Sequence, residues 1–267
     1  MKLDQIPESE HAIVDFSLCD FVDHTVMEGL HDYQRSFDRK NGLFETIGLD
    51  IHAAQTQHPF AVRKSLPINM LMGLKNSLTN RQKNLADLAK QLSWKYLPKI
   101  NSNPKGIKGF LFFESKVVNY SVNTLVHEKQ KFSVFDLSYS EGAFITKEDL
   151  KGTFLLFKSP VALPVFVLDK EDFKTALYQW AGFNDINFKK HPDFSKRFHL
   201  SGNDHVEIKA LFNSDLIYFF ESHPIFHIES NGKQLLIKGN DRLSGLQEIK
   251  IMITFAKDLV SLLKNQK

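Results

Sequence analysis

The sequence predicts an α+β protein: a helical N-terminal region over residues 1–98, then an α+β domain over residues 99–267 in which a mainly antiparallel sheet is covered by C-terminal helices. Three features predict it. Apolar side chains recur at helical spacing through most of the first hundred residues. After Asn101-Ser102-Asn103-Pro104 the period shortens to two, and beyond residue 200 helix-start signals return.

Between Ile13 and Tyr33, the residues Val14, Leu18, Phe21, Val22, Val26 and Leu30 form one stripe, with Asp15, Asp20, Asp23 and Glu28 opposite, and this reads as an amphipathic helix. A second helix, possible as two pieces, is expected over Ile68–Leu92, with Leu71, Leu74, Leu78, Leu85, Leu88 and Leu92 as its stripe and a basic polar face. Asn41-Gly42, Gly48 and Pro59 mark the intervening loops. Alternation then predicts strands at Ile107–Phe113, Val117–Val126, Lys131–Ser140, Thr153–Lys158 and Val165–Leu168, joined by turns short enough for a meander. A helix from Lys170 to Ala181 follows, with Asp169 as its cap and Gly182 as its stop. Asp204 and Glu207 have capping-box spacing ahead of a helix over His205–Phe212, and Ser214 heads a further helix to Glu221. Asn231-Gly232, set between Phe226–Glu229 and Gln234–Lys238, predicts a hairpin because that dipeptide accepts the positive φ of a two-residue turn. The last helix starts at Ser244, with Gln247 in the reciprocal capping position and a stripe of Leu246, Ile249, Ile253, Ala256, Leu259 and Leu263.

Leu92-Ser93-Trp94-Lys95-Tyr96, Phe135-Asp136-Leu137-Ser138-Tyr139, Leu163-Pro164-Val165-Phe166, Asp185-Ile186-Asn187-Phe188 and the block Pro192–Asp204 follow one another in an order by which Leu85–Leu263 resembles a family of uncharacterised bacterial proteins. The resemblance implies a shared fold. Many such proteins look membrane-anchored, with hydrophobic segments ahead of the region matching Leu85–Tyr96, where this chain is acidic and helical instead.

Charge is segregated. Residues 1–58 hold four Lys/Arg and eleven Asp/Glu, net −7; residues 59–108 hold ten basic residues and one acid, net +9; the remainder, with twenty basic and nineteen acidic, is +1. The uncharged stretches Ser65–Leu74 and Ser159–Leu168 are ten residues each, about half of the roughly twenty that cross a bilayer. The acidic start lacks the pattern of a secretory signal, and the single cysteine, Cys19, suits a reducing compartment. A cytoplasmic location is therefore expected, with peripheral contact at the inner membrane face as a variant. The 24 phenylalanines read as core filling.

No Gly-x-Ser-x-Gly elbow, dinucleotide fingerprint or P-loop occurs, and no cofactor is expected. His24, Glu28 and His31 share a helix face at a spacing that suits a metal, although charged residues belong on that face in any case. The Pro192–Asp204 block supplies the candidate binding residues Lys196, Arg197, His199, Asn203 and Asp204. In extended conformation Phe194, Lys196 and Phe198 would share one face and Arg197 and His199 the other, beside a helix start that favours an anion. The plainer reading makes the phenylalanines core anchors and Asp204 a cap. The basic stretch 59–108 suits an anionic membrane surface, whereas nucleic acid is disfavoured because the acidic leader neutralises it. The leading expectation is a non-catalytic binding or interaction protein whose partner is a protein or an anionic surface. The alternative is a hydrolase assembled from scattered residues such as Asp136, His199 and Asp204.

Overall fold

The computed structural model describes residues 5–71, 78–142, 147–170 and 184–265. Its centre is a nine-stranded sheet in which every neighbouring pair is antiparallel. The strands are β6 (Lys95–Leu97), β7 (Lys116–His127), β8 (Phe132–Glu141), β9 (Glu148–Lys158), β10 (Val165–Lys170), β11 (Asn184–Asp185), β12 (Phe198–Gly202), β13 (His227–Asn231) and β14 (Gln234–Lys238). They lie in the order β11-β12-β10-β13-β14-β9-β8-β7-β6. β7 to β9 fall where the period-two pattern predicts strands and join as a meander, and the β13–β14 hairpin turns on Gly232 at φ 88°. Asn231 Oδ1 fastens that turn by accepting from the amides of Lys233 at 3.1 Å and Gln234 at 2.8 Å.

The central strands β8, β9 and β14 are apolar on both faces, so each buries its odd and even residues in different clusters. On one face Leu125, Val134, Leu155 and Leu235 meet Leu85 and Leu88 of α3 (Asn80–Leu92) and Ile249, Ile253 and Leu259 of α7 (Leu246–Asn265). On the other, Phe135, Leu137, Phe154 and Leu236 pack on Ile107 and Phe110. No helix of the described residues is long and apolar enough to cross a membrane.

The N-terminal region corrects the all-helical expectation. β1 (His11–Asp15) pairs in parallel with β3 (Leu43–Ile47), and α1 (His24–Arg39) connects them. A three-stranded sheet, β2-β5-β4, is built from Phe21–Val22, Arg63–Ser65 and His52–Ala54. The helix expected from Ile13 begins only at His24, because Asp23 Oδ1 accepts from the Val26 amide at 2.7 Å and so fixes the first turn there. Val14 and Val22, which seemed part of a helical stripe, are strand residues. Ile68–Leu92 divides into α2 (Ile68–Leu71) and α3, with Thr79 and Gln82 of α3 closing a full capping box. β6 precedes the expected boundary at residue 98 and yet is hydrogen-bonded to β7.

Two further expectations change. Ile107–Phe113 is not a strand: Gly106 and Gly109 turn the chain at φ 89° and 86°, and only a short 3-10 turn forms, over Leu111–Phe113. Pro192–Arg197 is not extended but a short helix, α4, with proline at its first position. The helix expected over 170–181 lies outside the described residues apart from Lys170, which ends β10. Asp204 caps α5 (His205–Leu211) as expected, while α6 (Ser214–Ser222) is capped by Asn213. The cap of α7 comes from far away. Glu45 Oε2 accepts from the Leu246 amide at 2.6 Å, and a side chain at Gly245 would put its Cβ 2.8 Å from Glu45 Oε1. Ser244, the expected cap, is buried and spends its amide on Thr153 at 2.9 Å.

Candidate functional site

α3 owes its position to its second residue. Arg81 is 5% exposed and meets Asp136 of β8 through two hydrogen bonds, Nη1 to Oδ2 at 2.5 Å and Nη2 to Oδ1 at 3.1 Å. It also reaches Asp50 Oδ2 at 3.2 Å and the Ser244 carbonyl at 3.0 Å. Asn123 donates to both carboxylates, at 2.8 Å to Asp50 and 2.9 Å to Asp136, and accepts from Gln82 and Tyr96. Thr153 and the hydroxyl of Thr79 complete the acceptors' shells. Burial alone would lower the Arg81 pKa, but Asp136 and Asp50 overcome it and hold the guanidinium above its ordinary value. Burial and then Asp50 push the Tyr96 hydroxyl up. This network ties the N-terminal region, α3, the sheet and the start of α7 together.

With α3 so held, its N-terminus faces α1 across a groove of about 560 Å³. α1 contributes Leu30, His31, Gln34, Arg35 and Asp38; the loop before β5 contributes His58 and Phe60; α3 contributes Asn80 and Lys83. Gln34 Oε1 accepts from Asn80 Nδ2 at 3.1 Å, so the acidic leader and the basic stretch meet without closing the space between them. Phe60 sits among imidazoles, its ring centroid 5.1 Å from that of His31 and 5.4 Å from that of His58. Its backbone is fastened at both ends, the amide donating to His58 Nδ1 at 3.1 Å and the carbonyl accepting from His24 Nδ1 at 2.8 Å.

Arg63 lines this groove from β5, the central strand of the three-stranded sheet. It is 8% exposed, and its buried Nε finds no hydrogen-bond partner among the described residues. Burial lowers its pKa, with Asp50 opposing, yet an arginine keeps its proton at any physiological pH. Arg35, Arg63 and Lys83 therefore face one lining carboxylate, Asp38. A pocket that places a desolvated guanidinium and a helix N-terminus among excess cations can hold an anion.

The opposite face of the sheet carries a second buried polar cluster. His227 Nδ1 lies 2.8 Å from Asp169 Oδ2 and its Nε2 lies 3.0 Å from Glu229 Oε1, which also accepts from the Phe112 amide at 2.9 Å. Burial by itself would lower its pKa, but hydrogen bonds to Asp169 and Glu229 prevail and raise it to about 9. The imidazolium bridges β10 and β13 and pins the 3-10 turn beneath them.

The residues singled out in the sequence lie in several places. Lys196 is exposed and 3.9 Å from Asp193. Arg197 donates to the Glu221 carbonyl at 2.5 Å, near the end of α6. His199 is buried, with Nδ1 3.3 Å from Asp185 Oδ1. Asn203 is exposed, and Asp204 caps α5 by accepting from Val206 and Glu207. Asp136 faces α3 while His199 projects from the other face of the sheet, so these two do not share a site. Among the described residues no three of His, Cys, Asp and Glu are placed to hold a metal ion, and His24 and His31 engage Phe60 instead. Arg63 and Phe60 escaped sequence reasoning because they lie in a stretch without periodicity. A basic residue directly after Phe60-Ala61-Val62 was the available signal.

No family model matches the chain, and no curated protein matches it. A solved structure, that of the mycobacterial trehalose monomycolate transport factor A, TtfA, is similar over 70% of this chain and 96% of its own length, at 10% identity and a TM-score of 0.47. That likeness is too remote to transfer a role.

Proposed function

We propose that this is a non-catalytic binding protein that holds an anionic ligand in the groove between α1 and α3. The observation that carries the reading is the buried Arg63 guanidinium, which lines a basic groove and has no carboxylate hydrogen-bonded to it among the described residues. A buried charge without a carboxylate in contact is costly, and a ligand carboxylate or phosphate in the groove supplies a counter-charge. The anion can arrive as a free small molecule or as a lipid headgroup at a cytoplasmic membrane surface.

Calorimetric titration with inorganic phosphate tests the reading, and flotation with phosphatidylglycerol vesicles separates the two sources. Wild type binds phosphate, and Arg63→Gln weakens it at least tenfold, the fold-change of about 1.4 kcal/mol expected for one charge-assisted hydrogen bond. Vesicle binding that Arg63→Gln abolishes assigns the headgroup. If neither probe binds, or if Arg63→Gln binds both as well as wild type, the reading is wrong.

A further inference from the structure

The shape of the groove narrows its ligand, and this inference rests on the anion-binding reading above. A volume of about 560 Å³ lies well inside the range of small-molecule pockets, roughly 300–1,000 Å³, and a lone tetrahedral anion would leave most of it to water. The lining is also divided. Its aromatic end is Phe60 with His31 and His58, where two exposed imidazoles frame a half-buried ring. Its polar end is the first turn of α3, with Asn80 and Lys83, opposite Gln34, Arg35 and Asp38. α1 runs from one end to the other: His31 touches Phe60, Gln34 touches Asn80, and from His31 to Asp38 the axis advances about 10 Å.

We infer that the groove takes a nucleotide-class ligand, a phosphate ester of a planar heterocycle, with the ring stacked at Phe60 and the phosphate at Arg63 and Lys83. Flat π-systems stack on aromatic side chains whatever their edge chemistry, which suits a cluster made of one phenylalanine and imidazole rings. His58 is fixed for that purpose, since its Nδ1 already accepts from the Phe60 amide and the ring is held beside it. Asp38 and Gln34 supply the acceptors that sugar hydroxyls or ring N–H groups require.

The test compares calorimetric affinities of the full chain for adenosine 5′-monophosphate, guanosine 5′-monophosphate, ribose 5-phosphate and inorganic phosphate. At least one nucleotide binds about tenfold more tightly than ribose 5-phosphate, the advantage of one stacked ring. Phe60→Ala removes that advantage while leaving phosphate affinity as it was, Phe60→Tyr keeps it, and Arg63→Gln weakens every probe. Unchanged thermal unfolding of Phe60→Tyr guards against a folding defect. If inorganic phosphate binds in an Arg63-dependent way but neither nucleotide exceeds ribose 5-phosphate, the nucleotide inference fails and the anion reading stands. If no probe binds, the anion reading fails with it.

Discussion

Two arginines in the N-terminal region, Arg63 and Arg81, are equally hidden and oppositely furnished. The Nε of each is buried without a hydrogen-bond partner among the described residues, but the Nη atoms of Arg81, 5% exposed, meet Asp136, Asp50 and the Ser244 carbonyl, whereas Arg63, 8% exposed, has no such acceptors. Both carry a desolvation cost of the same kind. For Arg81 two carboxylates in contact overcome it, whereas for Arg63 only the more distant charge of Asp50 opposes it. The comparison separates a cation that holds the structure together from one placed for something that arrives later.

The largest expected effect breaks the furnished side. Arg81→Ala leaves Asp136 and Asp50 buried and facing each other, and the loss of one partner of a buried pair costs about 3–5 kcal/mol. Urea unfolding measures it. A loss below about 1 kcal/mol, the worth of an exposed pair, would mean that the network is solvated and structurally idle.

His227 is a second furnished cation, on the opposite face, and it adds a pH signature. Its pKa is raised from 6.5 to about 9 in the folded protein, so its contribution is whole below 6.5, shrinks as pH rises, and is gone above 9. The span corresponds to about 3 kcal/mol. Unfolding free energies of wild type measured between pH 6 and 10 should fall through this window, and His227→Gln should flatten the fall. A flat wild-type profile would contradict the assignment of a buried imidazolium.

The smallest stability effect belongs to the unfurnished side, and its sign is the informative part. Arg63→Met removes a desolvated charge that only the non-contacting Asp50 offsets, so stability changes by no more than about 1 kcal/mol, and toward greater stability. A loss comparable to that of Arg81→Ala would make Arg63 a structural residue.

Legibility followed the range of the interactions. β7 to β9 and the Asn231-Gly232 hairpin were readable because alternation and turn chemistry are local, and the stripe of α7 repeats over 20 residues. The cap of α7 was not readable, since Glu45 reaches Leu246 across 201 positions and Ser244 merely looked the part. The N-terminal error has the same origin: β1 is a strand because β3 lies beside it, and that pairing across α1 leaves no mark on His11–Asp15 themselves. Of the site, the basic character of the stretch was visible and its focus was not. The Pro192–Asp204 block drew attention by composition, but Arg197 serves the Glu221 carbonyl and Asp204 serves α5, whereas Arg63 is defined by its burial at the groove wall, which no sequence displays.

The central claim is that Arg63 waits for an anion and Arg81 does not. Arginine Nε–Hε correlation spectra report both groups in one sample, with assignments from Arg63→Lys and Arg81→Lys. On saturation with inorganic phosphate the Arg63 signal moves and the Arg81 signal stays. Movement confined to the exposed Arg35, or no movement at Arg63 at phosphate concentrations that shift surface lysines, would contradict the account.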